Sequence, residues 1–412
     1  MRGCISRIGK ALLFACSLTC AAQAQQIPPL AQQDLYLDAL QSISDGRQTD
    51  ASEALIRMIE NEPQHAGAWL DLAIIQCELG RGAEAERLFA AIESRFSPPP
   101  VILEVIAAQR AKGCKGWQPQ TRSTAMLGRG TDSNVNQGAS NPNFTIGTGA
   151  LRVELQLLPE SLPQRDNYTF ASYDVLRELS PNGTLGFAQV RAVHNDSLTE
   201  FDTSSLVGGI EHPWRIGGWN VRGTGLLALH GLGGKLYQVQ SQAQFRVTPP
   251  VKLPNTLQFS VVGGLSHVEY PTLNNFDSNT WELRGLLTYR NGRTQGHATL
   301  GYLFDKASAD RPGGDRAGWY TSIQARRRIS EYVIGELGWT RQTWLSDTAY
   351  SPGLIDEIRH QKTQVLRGAL IFPVDERQAV QVEVREARNR DNISVFQYNS
   401  RQVQVSWQWQ GF

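Results

Sequence analysis

The 412-residue chain carries 40 basic and 39 acidic residues, a formal charge of +1. It lacks the net positive field that nucleic-acid binders use, and no nucleic-acid partner is expected. Hydrophobic residues make up 41% and mean hydropathy is −0.33, which excludes a polytopic helical membrane protein but not a membrane β-barrel, whose apolar residues alternate with polar ones.

Residues 1–24 read as a signal peptide. Arg2, Arg7 and Lys10 precede the apolar run 11–18, and Ala22-Gln23-Ala24 is the small-x-small pattern that a signal peptidase cleaves. Of five cysteines, only Cys77 and Cys114 lie beyond that segment. An oxidising compartment permits a bridge between them; two buried free thiols are the alternative.

Residues 25–116 are expected to be helical and periplasmic, with a repeat at a shift of 34 residues. Gly46-Arg47 falls on Gly80-Arg81, Ala51 on Ala85, Leu55 on Phe89 and Leu35 on Trp69. The pattern resembles the tetratricopeptide repeat. The second copy keeps Trp69, Leu72, Ala73, Ala85 and Phe89 and departs at Gln76 and Ile92. Val101–Lys112 reads as a covering helix. Such stacks present a concave face to peptides or partner proteins, which places Trp69, Leu72 and Gln76 in a client-binding groove. A rigid spacer is the alternative.

Residues 117–149 read as a linker or a first strand. Ala125-Met126-Leu127-Gly128 suits a strand, but adding it to those expected later gives an odd number. The run Asp132-Ser133-Asn134-Val135-Asn136 is dense in side chains that cap exposed backbone. It lacks the spaced carboxylates and closing glutamate of a calcium loop.

From residue 150 to 412 the period switches to two. Tyr237, Val239, Ala243, Phe245 and Val247 oppose Gln238, Gln240, Gln242, Gln244 and Arg246; Val403, Val405, Trp407 and Trp409 oppose Gln402, Gln404, Ser406 and Gln408. Short turns near 180–183, 213–219, 248–255, 290–293, 328–332 and 373–378 alternate with longer polar loops at 195–202, 270–279, 305–318, 344–361 and 389–400. This is the pattern of a transmembrane antiparallel barrel of about 14 strands, its ends returned to one side of the membrane and its aromatics at the lipid interface. Trp407, Trp409 and Phe412 resemble the C-terminal signal that outer-membrane assembly machinery reads. Position 411, outward by alternation, is Gly411, so an irregularity there is expected to bring Phe412 into step.

No catalytic, metal or phosphate-binding motif is present, and the seven histidines are scattered, so neither an enzyme nor a cofactor is expected. The order of signal peptide, short tetratricopeptide module, Asp-Ser-Asn-Val-Asn run and barrel resembles the surface lipoprotein assembly modifier family. The resemblance implies a periplasmic helical module that receives client proteins or lipoproteins and a barrel that helps them reach the outer leaflet. Its partners would be the client, the assembly machinery and membrane lipid. A polysaccharide export channel and a passive porin-like barrel are the alternatives. An inward face rich in Gln, Arg and Thr, with few aromatics, disfavours the glycan channel.

Overall fold

A computed structural model describes residues 29–114, 116–147 and 151–411. The expected signal peptide and Phe412 lie outside the described residues. The chain divides into two compact units, a helical one that ends at Cys114 and a β-structured one that follows it and to which Asp45–Thr49 is also assigned.

The helical unit comprises α1 (Pro29–Ser44), α2 (Gln48–Asn61), α3 (Ala66–Glu78), α4 (Gly82–Phe96) and α5 (Pro100–Lys112). The repeat is visible in the backbone. Gly46 after α1 and Gly80 after α3 both adopt positive φ, +73° and +76°, a left-handed conformation that only glycine enters without steric cost. Ala51 and Ala85 are fully buried, and Leu55 and Phe89 fill equivalent positions beside them. Met58, Ala73, Ile92 and Ile106 complete one continuous core. Each fully buried large apolar side chain contributes about 1.5–3 kcal/mol. Cys77 of α3 is joined by a disulfide to Cys114 beyond α5, with Cα atoms 4.5 Å apart.

The second unit is a closed barrel of fourteen antiparallel strands. They are β1 (Thr121–Asp132), β4 (Asp166–Glu178), β5 (Leu185–Asn195), β6 (Thr203–Ile216), β7 (Trp219–Leu232), β8 (Lys235–Thr248), β9 (Leu257–Glu269), β10 (Ser278–Asn291), β11 (Thr294–Ala307), β12 (Arg316–Arg328), β13 (Ile334–Ser351), β14 (Ile355–Pro373), β15 (Gln378–Asp391) and β16 (Tyr398–Gly411). β2 (Asn143–Ile146) and β3 (Val153–Gln156) form a separate hairpin within the β1–β4 connection. Every barrel strand pairs with its neighbour in the barrel order, and β1 pairs with β16 to close the ring.

The number of strands expected from the sequence is therefore right, but their start is not. Thr121–Asp132 is the first barrel strand, and the rest all follow Asp166. No barrel strand begins near Leu151, because that region belongs to the β1–β4 connection. The polar stretch 344–361 is not a loop either. It continues β13 and β14 as a paired hairpin turning at 352–354. A further two-residue turn, Gly233-Gly234, at positive φ of +56° and +75°, joins β7 to β8. Gly411 stays in register opposite Ser123, and the placement of Phe412 relative to it lies outside the described residues.

The register assigns one side chain set to each face of the wall. Leu127, Leu227, Phe245, Leu283, Leu300, Leu337, Leu366 and Val405 lie on the outer face, where all are exposed. Ser260, Ser322, Gln381, Gln404 and Ser406 lie on the inner face, where they are buried. The barrel is inverted relative to a water-soluble fold, in which large apolar side chains go inside.

Candidate functional site

Three regions carry the residues singled out by sequence. In the helical unit, Leu72 is 5% and Gln76 4% exposed. Leu72 packs into the helix core. Gln76 donates through Nε2 to Ser52 Oγ at 3.0 Å and accepts from Arg81 Nη1 at 3.2 Å. Neither side chain is free to touch a client, so the expected groove contacts at Leu72 and Gln76 are corrected to packing between helices. Trp69 is half-buried: its indole Nε1 donates to the Pro63 carbonyl at 3.1 Å, and Arg95 stacks over its ring at 5.3 Å. Beside it Tyr36 donates to Asp71 Oδ2 at 2.8 Å. Burial, then that bond to a carboxylate, pushes the phenol up to about 12.

The Asp-Ser-Asn-Val-Asn run sits where β1 meets β16. Asp132 ends β1 and accepts from Ser400 Oγ and Gln402 Nε2, both at 2.7 Å, and from the Asn134 amide at 2.9 Å. Ser133 Oγ accepts the Arg401 N–H at 2.8 Å. Asn134, 1% exposed, donates to the carbonyls of Asn399 and Gly138 at 2.9 and 3.0 Å and accepts the Gly138 N–H at 2.7 Å. Asn136 donates to the carbonyls of Glu160 and Leu162 and accepts the Gln164 N–H. The run thus fastens the end of β1 to β16 and folds the β1–β4 connection back on itself. Structural capping accounts for every one of these side chains.

Trp407 and Trp409 of β16 face outward opposite Leu127 and Ala125, with ring centroids 6.0 Å apart. A second outward cluster, Trp281, Phe304, Tyr302 and Trp319 on β10–β12, lies toward the opposite rim of the barrel.

The interior is an ion-paired wall. Arg367 bridges Glu336 at 2.9 Å and Glu383 at 2.7 Å, and Arg326 reaches Glu336 at 3.4 Å. Arg222 pairs with Glu211 at 2.8 Å, and Arg284 pairs with Glu282. Fully buried Asp305 holds Arg311 and Arg316 at 2.8 and 2.6 Å. The sequence leads to an expectation of few inward aromatics; those present include rings covered by guanidiniums. Arg316 stacks over Trp344 at 4.6 Å, Arg284 over Tyr320 at 4.9 Å and Arg191 over Phe170 at 5.2 Å. These contacts were not legible because ring and guanidinium come from different strands. Among the described residues, no group of three or more His, Cys, Asp or Glu is placed to hold a metal ion.

Residues 42–100 match the family model described as tetratricopeptide repeat. No curated protein matches the chain. Among solved structures, the barrel is similar to OmpT, an outer membrane protein of Vibrio cholerae, at 6% identity and a TM-score of 0.39, covering 72% of this chain and 99% of that one. It is similar to an anion-selective porin from Comamonas acidovorans at 9% identity and 0.38, covering 71% and 99%. CdiB from Acinetobacter baumannii gives 9% and 0.41, covering 72% and 61%.

Proposed function

We propose that this protein is an outer-membrane barrel whose helical module stands in the periplasm and assists the translocation or surface display of client proteins, lipoproteins among them. One observation carries the membrane reading: large apolar side chains are exposed all round the outer wall while polar ones are buried inside. Water would penalise that arrangement, and a bilayer rewards it. No helix among the described residues is long and apolar enough to cross a membrane; in this reading the barrel strands cross it.

The client reading rests on the helical repeats, which bind peptides and proteins rather than perform chemistry, and on the resemblance to the surface lipoprotein assembly modifiers. It involves no enzymatic step and no cofactor. A polysaccharide channel is the second reading, favoured by the interior rings of Tyr320 and Trp344.

Two measurements test the proposal. Purified mature chain should require detergent to stay monodisperse; a monodisperse preparation in plain buffer overturns the membrane reading. Deletion of the gene should reduce the protease-sensitive lipoproteins on intact cells. Unchanged lipoprotein exposure with a loss of surface glycan would favour the second reading.

A further inference from the structure

The barrel rim at which β1 starts and β16 ends carries a cavity of about 770 Å³, whose lining includes Arg293, Gln295, Arg326, Arg328, Glu331 and Ile334. Gln295 and Arg326 lie opposite each other on β11 and β12, on the inward-facing parity of the wall. The Arg328 N–H donates to the Arg293 carbonyl at 2.9 Å, which holds these two residues side by side.

The charges here differ from those on the ladder deeper in the barrel. Arg367, Arg222, Arg284 and Arg316 each face a carboxylate. Among the described residues, neither the Arg293 nor the Arg328 guanidinium has an ion-pair partner, and Arg326 has only Glu336 at 3.4 Å. The lining thus gathers three guanidiniums against one carboxylate, Glu331, which forms no ion pair with them. Guanidinium forks match carboxylates in a bidentate geometry, and the cavity volume falls within the range of ligand sites, about 300–1,000 Å³.

We propose that this cavity binds an acidic peptide segment at the mouth of the lumen, its carboxylates held by Arg293, Arg326 and Arg328. The anion chemistry follows from the guanidiniums alone. The peptide character of the occupant rests on the client-protein reading above and on the lining, which offers the apolar Ile334 but no aromatic face for a sugar ring to stack on. Because Gln295, Arg326, Arg328 and Ile334 have inward parity, the site takes a segment inside the barrel rather than a lipid headgroup at its outer wall.

The test uses the full-length chain in detergent micelles and a fluorescein-labelled hexaglutamate peptide, read by anisotropy. Hexaglutamate should bind, more weakly as salt rises, and R293Q/R328Q should weaken it by about tenfold or more, one charged hydrogen bond being worth about 1.5–3 kcal/mol. R293K/R328K keeps the charge but loses the forks and should fall between the two. R327Q, which removes a charge from the outer face of the same strand, should leave binding unchanged. Absent binding, or equal weakening by R327Q, overturns the site. Displacement by polygalacturonate or inorganic phosphate at lower concentration than unlabelled hexaglutamate overturns the peptide assignment. These results do not depend on the deletion experiment. Should deletion leave surface lipoproteins unchanged while hexaglutamate binding is lost in R293Q/R328Q, the client reading falls and the anion site stands. Should deletion matter and hexaglutamate not bind, the reverse holds.

Discussion

Phe170 of β4 lays its ring over Gly128 of β1, in the space that a Cβ at residue 128 would occupy. Tyr168 covers Gly130 in the same way, with the ring carbon bearing its hydroxyl 2.7 Å from where that Cβ would be, and its hydroxyl donates to Gln404 Oε1 of β16 at 3.0 Å. The pairs therefore link the first strand to both of its neighbours across the closing seam. Gly128→Ala should overpack this seam and cost about 1–3 kcal/mol. The expected readout is a lower midpoint for the heat-induced mobility shift of the folded barrel in detergent. An unchanged midpoint would show that the ring moves aside without cost.

The Asp-Ser-Asn-Val-Asn run predicts a second effect at the same seam. Asn134→Ala leaves the buried Gly138 carbonyl and the partly buried Asn399 carbonyl without this donor, a penalty of about 1–3 kcal/mol. It should also free the β1–β4 connection, so that limited proteolysis cuts between 137 and 160 before the barrel strands are touched. Asn136→Ala should raise cleavage while lowering barrel stability less, because its bonds all lie within the connection.

That seam shows how the sequence was legible and where it was not. The repeat was readable because Gly46 and Gly80 must both supply a left-handed turn and Ala51 and Ala85 a close helix approach. β4 to β16 were readable wherever one face meets an apolar medium and the other does not. β1 was legible only as an alternative to a linker, because Gly128 and Gly130 interrupt its inner face and Arg129 its outer one. The partners that explain those glycines, Phe170 and Tyr168, arrive only after the long β1–β4 connection. The outer parts of β13 and β14 escaped for a different reason: residues such as Asp347, Asp356 and Glu357 are polar on both faces, which erases the alternation. Leu72 and Gln76 were misplaced because helical spacing marks a buried stripe and a client groove alike.

Acid should loosen the helical unit at α4–α5. Arg110 donates to both Glu86 oxygens and to Glu93, at distances from 2.6 to 3.1 Å. The hydrogen bond from Arg110 holds the Glu86 carboxyl below its usual value of 4.5. A carboxyl lowered in the folded state contributes stability that is present above its unfolded pKa and is lost as pH falls through the folded one. The loss should therefore begin near pH 4.5 and grow below it. Glu86→Gln should flatten the acid limb of α4–α5 protection in hydrogen exchange while leaving neutral-pH protection nearly unchanged, since the pair is exposed and its contribution is screened.

The Cys77–Cys114 disulfide encloses a sequence separation of 37 residues and ties the chain beyond α5 to α3. Its loss, in Cys77→Ser/Cys114→Ser, should destabilise the helical unit by roughly 2–4 kcal/mol. The wild-type protein should migrate faster on non-reducing than on reducing gels, and the double variant should show no such difference. Identical migration of the wild type under both conditions would mean that the thiols are free.

The outer wall allows a test of sidedness within single strands. Leu283 of β10 is 62% exposed on the outer face, whereas its neighbour Leu286 has inward parity opposite Ser260 and Thr299. In a bilayer, Leu283→Arg places a charge against hydrocarbon, at a cost of about 2–4 kcal/mol if it lies near the midplane. Leu286→Arg instead adds a charge to an interior that already contains Glu282 and Arg284. Reversible urea unfolding in lipid vesicles should thus show a large loss for Leu283→Arg and a smaller one for Leu286→Arg. A barrel surrounded by water would reverse the order, because an outward arginine would be solvated and an inward one would have to find room and a partner.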